Sequence, residues 1–438
     1  MKRTSDRFYT RLIISLINFA GITLIAAQAI AAPPAPPAPP PAGTLTGLQL
    51  LGQQIFFDKN LSQPAGTACA SCHSPNTGFA DNHGSTIGVP QGSAAGVFGL
   101  RNAMSNAYGA FVPSFHIAVT NGNLVAAGGM FRDGRADTLA LQALAPFLSS
   151  QEMNNASAAA VMQKIAAAGY ANQFKTQFGS GIFSNPNQAF QDVGVAIAAF
   201  ETTQQFQQFS SKYDQFVKGK VQLAANETRG MQLFMDRTRG NCVACHAMNP
   251  NSKNPADNLF ADFSYHALGI PRNRAIPSNA SPSFYDLGLC GPKRQIPALP
   301  ANAPASANAQ QFCGTFRTVS LRNVALRNTF MHNGLFRDLP TVIDFYSTRN
   351  SNPQRWYGST GMPNDLPVAY LPNIIHDRPP FNRPPSAGPL FSAGEASDLI
   401  AFLGTLSDGF GTASTAAADQ APQPKTAAAV GINPFGPH

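Results

Sequence analysis

Two Cys-x-x-Cys-His motifs, Cys69-Ala70-Ser71-Cys72-His73 and Cys242-Val243-Ala244-Cys245-His246, constrain what this chain can fold into more than any other feature. This spacing is the attachment signature of c-type haem. The two thiols add across the porphyrin vinyl groups as thioethers, and the adjacent histidine is set under the iron as its proximal ligand. A zinc site would draw four Cys and His ligands from compact spacing, whereas these motifs lie far apart, each with its own histidine. A thioredoxin-type redox pair needs no following histidine, and here one follows twice. Cys69, Cys72, Cys242 and Cys245 are therefore read as attachment points for two covalent haem c groups, with His73 and His246 as iron ligands. They use four of the chain's six cysteines.

The N-terminus has a basic start (Lys2, Arg3, Arg7, Arg11), an apolar run from Leu12 to Ala27 and the small-residue site Ala29-Ile30-Ala31. That order reads as a cleaved secretory signal peptide over residues 1–31 rather than a membrane anchor, since Asn18 interrupts the run and an alanine-rich stretch closes it. Export to the periplasm is expected. It suits haem c attachment and lets the remaining pair, Cys290 and Cys313, form a disulfide. The formal charge of +8 falls to about +5 without the leader's four basic and one acidic residues. With no Lys/Arg block, no nucleic-acid partner is implied. The diffuse positive surface can dock an acidic electron donor or serve solubility alone.

Residues 32–43 form a Pro-rich linker, and residues 412–438, rich in Ala, Pro and Gly, read as a flexible tail. An internal repeat organises what lies between. Gly52-Gln53-Gln54-Ile55-Phe56-Phe57-Asp58 precedes the first haem motif and Gly230-Met231-Gln232-Leu233-Phe234-Met235-Asp236 the second, both with apolar residues at helical spacing. Each half closes with an apolar helix, Val193 to Phe200 and Leu399 to Leu406. The expectation is a mainly α fold of two cytochrome c-like domains, 44–215 and 216–411, each binding one covalent haem. Their boundary falls near Ser210 to Asn226, loops are long and strands scarce.

In order and spacing, the chain resembles the diheme cytochrome c peroxidase family, including its methylamine-dehydrogenase-maturing, MauG-like branch. The resemblance is carried by the two haem motifs, Arg101-Asn102, Phe131-Arg132-Asp133-Gly134-Arg135 and Gln142 through Pro146 to Glu152-Met153. In the second half it is carried by Leu321-Arg322-Asn323, Met331-His332-Asn333-Gly334, Asp344-Phe345-Tyr346 and Ala401-Phe402-Leu403. It implies that the haem under His73 binds peroxide, with Glu152 as acid/base and Gln142 in the distal pocket, and that Arg135 and Arg322 belong to cofactor binding. Splitting an O–O bond needs a proton taken from one oxygen and given to the other, which a positioned carboxyl can do. An apolar pocket would raise its pKa towards working pH. Read locally, Ser149-Ser150-Gln151-Glu152 also looks like the first turn of a helix, with Glu152 a capping residue.

The haem under His246 is implied to be a low-spin electron store. Its sixth ligand would be Tyr346, at a position where the peroxidases carry Met and the maturation branch Tyr; Met331 competes. A thioether would raise the haem potential and a phenolate would lower it. His83 is a candidate reversible distal ligand of the first haem, or an ordinary surface histidine. Asn102 matches the side-chain ligand of the family's calcium ion, whose carbonyl positions fall on Arg327 and Thr329. The chain departs from the family where a Trp usually stands between the haems: it has Arg132, and its single tryptophan is Trp356. Propionates, Phe131 or a displaced aromatic are then left to couple the haems. The implied function is reduction of hydrogen peroxide with electrons from a small cytochrome c or cupredoxin. Beside it stand a MauG-like oxidase that uses high-valent haem to modify a protein substrate, and a non-catalytic diheme electron-transfer or sensor protein. A homodimer is the assembly considered.

Overall fold

The computed structural model describes residues 45–411; the leader, the Pro-rich linker and the tail lie outside the described residues. The first run of helices is α1 (Gly47–Phe57), α2 (Cys69–Cys72), α3 (Leu139–Leu148), α4 (Ala158–Ala166), α5 (Ala171–Phe178) and α6 (Pro186–Glu201). The second is α7 (Lys212–Val217), α8 (Ala225–Met235), α9 (Leu339–Thr348), α10 (Pro353–Tyr357) and α11 (Ala393–Gly404). Sheet among the described residues is confined to two antiparallel pairs, β1 (His116–Thr120) with β2 (Asn123–Ala127), and β3 (Tyr265–His266) with β4 (Phe316–Arg317). Long loops and short 3-10 turns join them, so the fold is helix-rich with scarce strand, as expected. Two large apolar clusters form. One is built from Leu51 through Phe206 and the other from Tyr213 through Leu406, so the core changes between Phe206 and Tyr213.

The repeat in the sequence is one helix crossing built twice, α1 against α6 and α8 against α11. Thr46 and Gln49 close a capping box on α1, and Ser392 and Glu395 close one on α11. The glycine that opens each repeat sits at the crossing. A Cβ on Gly52 would collide with the carbonyl oxygen of Ala196, and one on Gly230 with that of Asp398. The absence of a side chain is what lets these backbones approach so closely. One turn further, Phe56 meets Phe200 edge-on with centroids 5.5 Å apart, and Phe234 meets Phe402 in the same way at 5.3 Å.

A second correspondence emerges only in three dimensions. The bridge Met130–Ala136 encloses Phe131 to Arg135, and the bridge Phe330–Phe336 encloses Met331 to Leu335. Phe131 and Met331 share a left-handed backbone (φ 63° and 68°), as do Gly134 and Gly334 (φ 65° and 61°). Each turn then feeds a 10-residue helix, α3 capped by Thr138 and α9 capped by Asp338. By these landmarks Gln142 corresponds to Val342 and Pro146 to Tyr346.

Candidate haem sites

Each haem motif opens onto its own cavity. Cys69, Cys72 and His73 line the first together with Gln142, Pro146 and Glu152. Cys242, Cys245 and His246 line the second together with Met331, His332 and Tyr346.

The two histidines are held alike. His73 Nδ1 lies 3.1 Å from the carbonyl oxygen of Phe79, and His246 Nδ1 lies 3.0 Å from that of Phe260. Both phenylalanines have left-handed backbones (φ 59° and 55°), which turn the carbonyl towards the ring. Burial pushes both imidazoles below their ordinary pKa, so they are neutral. A neutral ring whose Nδ1–H is tied to a carbonyl offers its Nε2 lone pair to a metal. Burial pushes Cys69 well up and raises Cys72 and Cys242 to about 12. Among the described residues no group of three or more His, Cys, Asp and Glu is placed to hold a metal ion. Thiol pairs beside a neutral, backbone-tied imidazole, in cavities walled largely by apolar side chains and without a cluster of metal-ligating groups, fit haem and fit zinc poorly.

Glu152 lies in the turn that follows α3. Its N–H donates to the Ser149 carbonyl at 3.0 Å, and the N–H of Met153 donates to that of Pro146 at 3.1 Å. The next helix starts only at Ala158 and is capped by Ser157, so Glu152 has no helix to cap. Burial raises its pKa, with Arg135 and Lys293 opposing. Arg135 pairs with Asp133 at 2.8 Å and lies over the Phe131 ring at 3.4 Å.

Two further groups in this cavity escaped sequence reasoning. Lys293 lies in the loop closed by the Cys290–Cys313 disulfide and donates to Gln151 Oε1 at 2.6 Å. Glu201, the last residue of α6, is pushed up to about 8 by burial. Asn106 donates to one of its oxygens at 2.6 Å, and the other has no partner. The available signal was an acid closing the apolar second half of α6, Val193 to Phe200.

In the second cavity, Tyr346 projects from α9 and stacks on Phe381 with centroids 5.4 Å apart. Burial pushes its phenol up, and nearby Cys245 and Cys242 act in the same direction. Met331 lines the same cavity, so both candidate ligands are present.

Other assignments change. His83 lines neither cavity, and its Nδ1 sits 2.9 Å from the Gln91 carbonyl. Arg322, assigned to cofactor binding, also lines neither. Its guanidinium meets both oxygens of Asp214 at 3.0 and 2.8 Å, bonds the carbonyls of Asn258 and Pro255, and lies over Tyr108 and Phe209. A fully buried cation needs a paired anion, and Asp214 claims this one. At the calcium position, Asn102 Nδ2 donates to the carbonyls of Thr329 at 3.1 Å and Met331 at 3.3 Å. Of the two expected carbonyls, that of Thr329 accepts this amide N–H. Trp356 belongs to the second core and donates to Thr348 Oγ1 at 3.0 Å. It lines neither cavity. Arg132 does stand between them, bordering both.

Two haem-fitted cavities, only one of which holds a raised-pKa carboxyl, define a diheme oxidoreductase. The chain belongs to the diheme cytochrome c peroxidase and MauG family. The family model for di-haem cytochrome c peroxidases matches residues 48–222. The chain is 32% identical over 402 residues to the methylamine utilization protein MauG of Paracoccus denitrificans, covering 88% of this chain and 95% of that one. It is 26% identical over 294 residues to the cytochrome c551 peroxidase of Pseudomonas aeruginosa, covering 67% and 69%. Among solved structures, the diheme peroxidase BthA from Burkholderia thailandensis matches with a TM-score of 0.76 and 38% identity, covering 85% of this chain and 87% of that one.

Proposed function

We propose that this chain is an exported, periplasmic diheme c-type peroxidase. It reduces hydrogen peroxide to water with electrons from a small cytochrome c or cupredoxin. The observation that carries this reading is Glu152, a buried carboxyl of raised pKa in the cavity of His73, beside a proline at the position where the other cavity has a tyrosine. Haem, when bound, supplies an iron site for the peroxide and a store for electrons. His73 and His246 each present Nε2 to it. Pro146 has no donor atom to offer, so the first cavity keeps room for substrate. Glu152 takes a proton from the incoming peroxide oxygen and returns it to the departing one. Gln142 orients the peroxide, and the apolar walls keep water out. Two electrons and two further protons complete the conversion of one peroxide to two waters. The non-catalytic reading would leave Glu152 a structural role, and no helix end is there for it to serve.

Tyr346 is proposed as the sixth ligand of the second haem. The MauG-like branch carries Tyr at the position that falls on Tyr346, and Tyr346 and Met331 line the same cavity as His246. Calcium is proposed at Asn102 with the carbonyls of Arg327 and Thr329, on the family resemblance; the Asn102 amide, whose Nδ2 donates to the Thr329 carbonyl, would turn to offer Oδ1. Export is supported by the leader's residue pattern and by the Cys290–Cys313 disulfide, a bond at home in an oxidising compartment.

Tyr346 also favours a second reading, oxidation of a partner protein as in the MauG branch, in keeping with the match to MauG over most of both chains. Steady-state peroxide consumption with reduced small cytochromes, set against mass spectrometry of partner proteins after peroxide addition, separates the two. Rapid turnover with unmodified partners supports the peroxidase. Slow turnover with an oxidised side chain supports the oxidase.

A further inference from the structure

The two haem cavities share a wall. Asn102, Ala103, Arg132, Arg317, Val319 and Arg327 border both. Three of these six residues are arginines. Arg132 is 8% exposed and Arg317 5%. Their hydrogen bonds go to backbone oxygens, and the Arg317 guanidinium also lies over the Phe263 ring at 5.6 Å. Arg132 Nε donates to the Asn102 carbonyl at 3.2 Å and Arg317 Nε to that of Phe131 at 3.1 Å. Arg327 donates to the carbonyls of Ser320 and Arg322 at 3.1 and 2.8 Å, and its Nε is buried without a partner.

No carboxylate among the described residues pairs with any of the three. The two acids nearby are already engaged, Asp286 by Arg101 and Asp133 by Arg101 and Arg135. Burial pushes Arg132 down to about 9, with Arg101, Arg327 and Arg317 repelling it and Asp286 opposing, and pushes Arg317 and Arg327 down to about 10, Tyr265 and Asp133 opposing at Arg317. A group of buried guanidiniums without counter-ions is strongly unfavourable unless anions arrive from outside the polypeptide. Haem carries two carboxylates on one edge, and guanidinium binds carboxylates in a fork.

We propose that Arg132, Arg317 and Arg327 form a single carboxylate-binding site shared by the two haems, one propionate from each reaching the same cluster, so that the haems are coupled through charge. The inference rests on both cavities holding haem. It gives Arg132 a function at the place where an aromatic relay was expected. Oxidation of either iron adds positive charge near a cluster that both propionates neutralise, so each haem senses the other without a conjugated bridge.

The test uses the haem-loaded full chain. Spectroelectrochemical titration of Arg132→Leu should show both midpoint potentials moved to more negative values, because losing a shared cation favours the ferric form of each haem. Arg132→Lys, which keeps a charge, should restore most of the shift. A displacement of one potential alone, or two values equal to wild type, would overturn the sharing. Pyridine haemochrome assays separate failure of this inference from failure of the underlying reading, since fewer than two haems per wild-type chain would overturn both. If Arg132→Leu does not accumulate as folded protein, Arg327→Gln carries the same measurement with the same outcomes.

Discussion

Pro146 and Tyr346 occupy the same step of two corresponding helices, α3 and α9, and each lines the cavity of its own half. One residue has no donor atom on its side chain; the other carries a phenol. A single structural unit used twice thus presents a side chain without a donor atom to one cavity and a phenol to the other.

Tyr346→Phe should vacate the sixth position of the second haem and shift its absorption and EPR spectra from low towards high spin. The wild type should show a low potential, because an anionic oxygen stabilises ferric iron. A ferric sulfur-to-iron band in the wild type, unchanged in the variant, would instead assign the ligand to Met331.

Glu152→Gln should leave both haem spectra normal and slow peroxide turnover by roughly a hundred- to ten-thousand-fold. Because burial raises the Glu152 pKa, the acid limb of the wild-type rate profile should lie above the ordinary carboxylate range. Stopped-flow rates from pH 4 to pH 9 check this, at about half-unit steps. The variant should have no such limb.

Intact mass of the secreted protein should exceed the processed polypeptide by two haem groups, and acid extraction should release neither. A single haem, or zinc by elemental analysis, would contradict the assignment of both Cys-x-x-Cys-His motifs.

Gly230→Ala should destabilise the second half by about 1–3 kcal/mol, since its methyl group meets the Asp398 carbonyl and the helices must part. Urea denaturation measures this. A neutral result would mean that α8 and α11 yield easily.

Glu201 holds its proton more tightly in the folded chain, pushed up to about 8, than in the unfolded one, where its ordinary value is 4.5. Its contribution is therefore fully present below about 4.5 and is lost as pH rises through about 8. Thermal unfolding between those limits should show wild-type stability falling relative to Glu201→Gln. Parallel curves would mean that the group is not buried in the haem-loaded protein.

Much of the site is legible in the residue order. The haem motifs are short and local, so the expectation of haem attachment at Cys69, Cys72, Cys242 and Cys245 can be formed without knowing the fold. The helices preceding them declare themselves through periodicity and a repeated glycine. Glu152 was harder, since Ser149 to Glu152 suits a helix start as well as a cavity turn. The distinction depends on where the chain goes next, and α4 begins too late for Glu152 to cap it.

What the sequence determined alone is whatever rests on neighbours a few residues apart: the two haem motifs, helix periodicity and the cysteines left over for a disulfide. What the tertiary structure decided concerns buried charge. Arg322 lies in a motif that pointed to the cofactor, yet its partner is Asp214, 108 residues away. Arg132, Arg317 and Arg327 come from separate stretches and meet in one wall without a protein anion among them. Which charge is neutralised, and by what, depends on which distant segments exclude water from the same place, and residue spacing does not encode that.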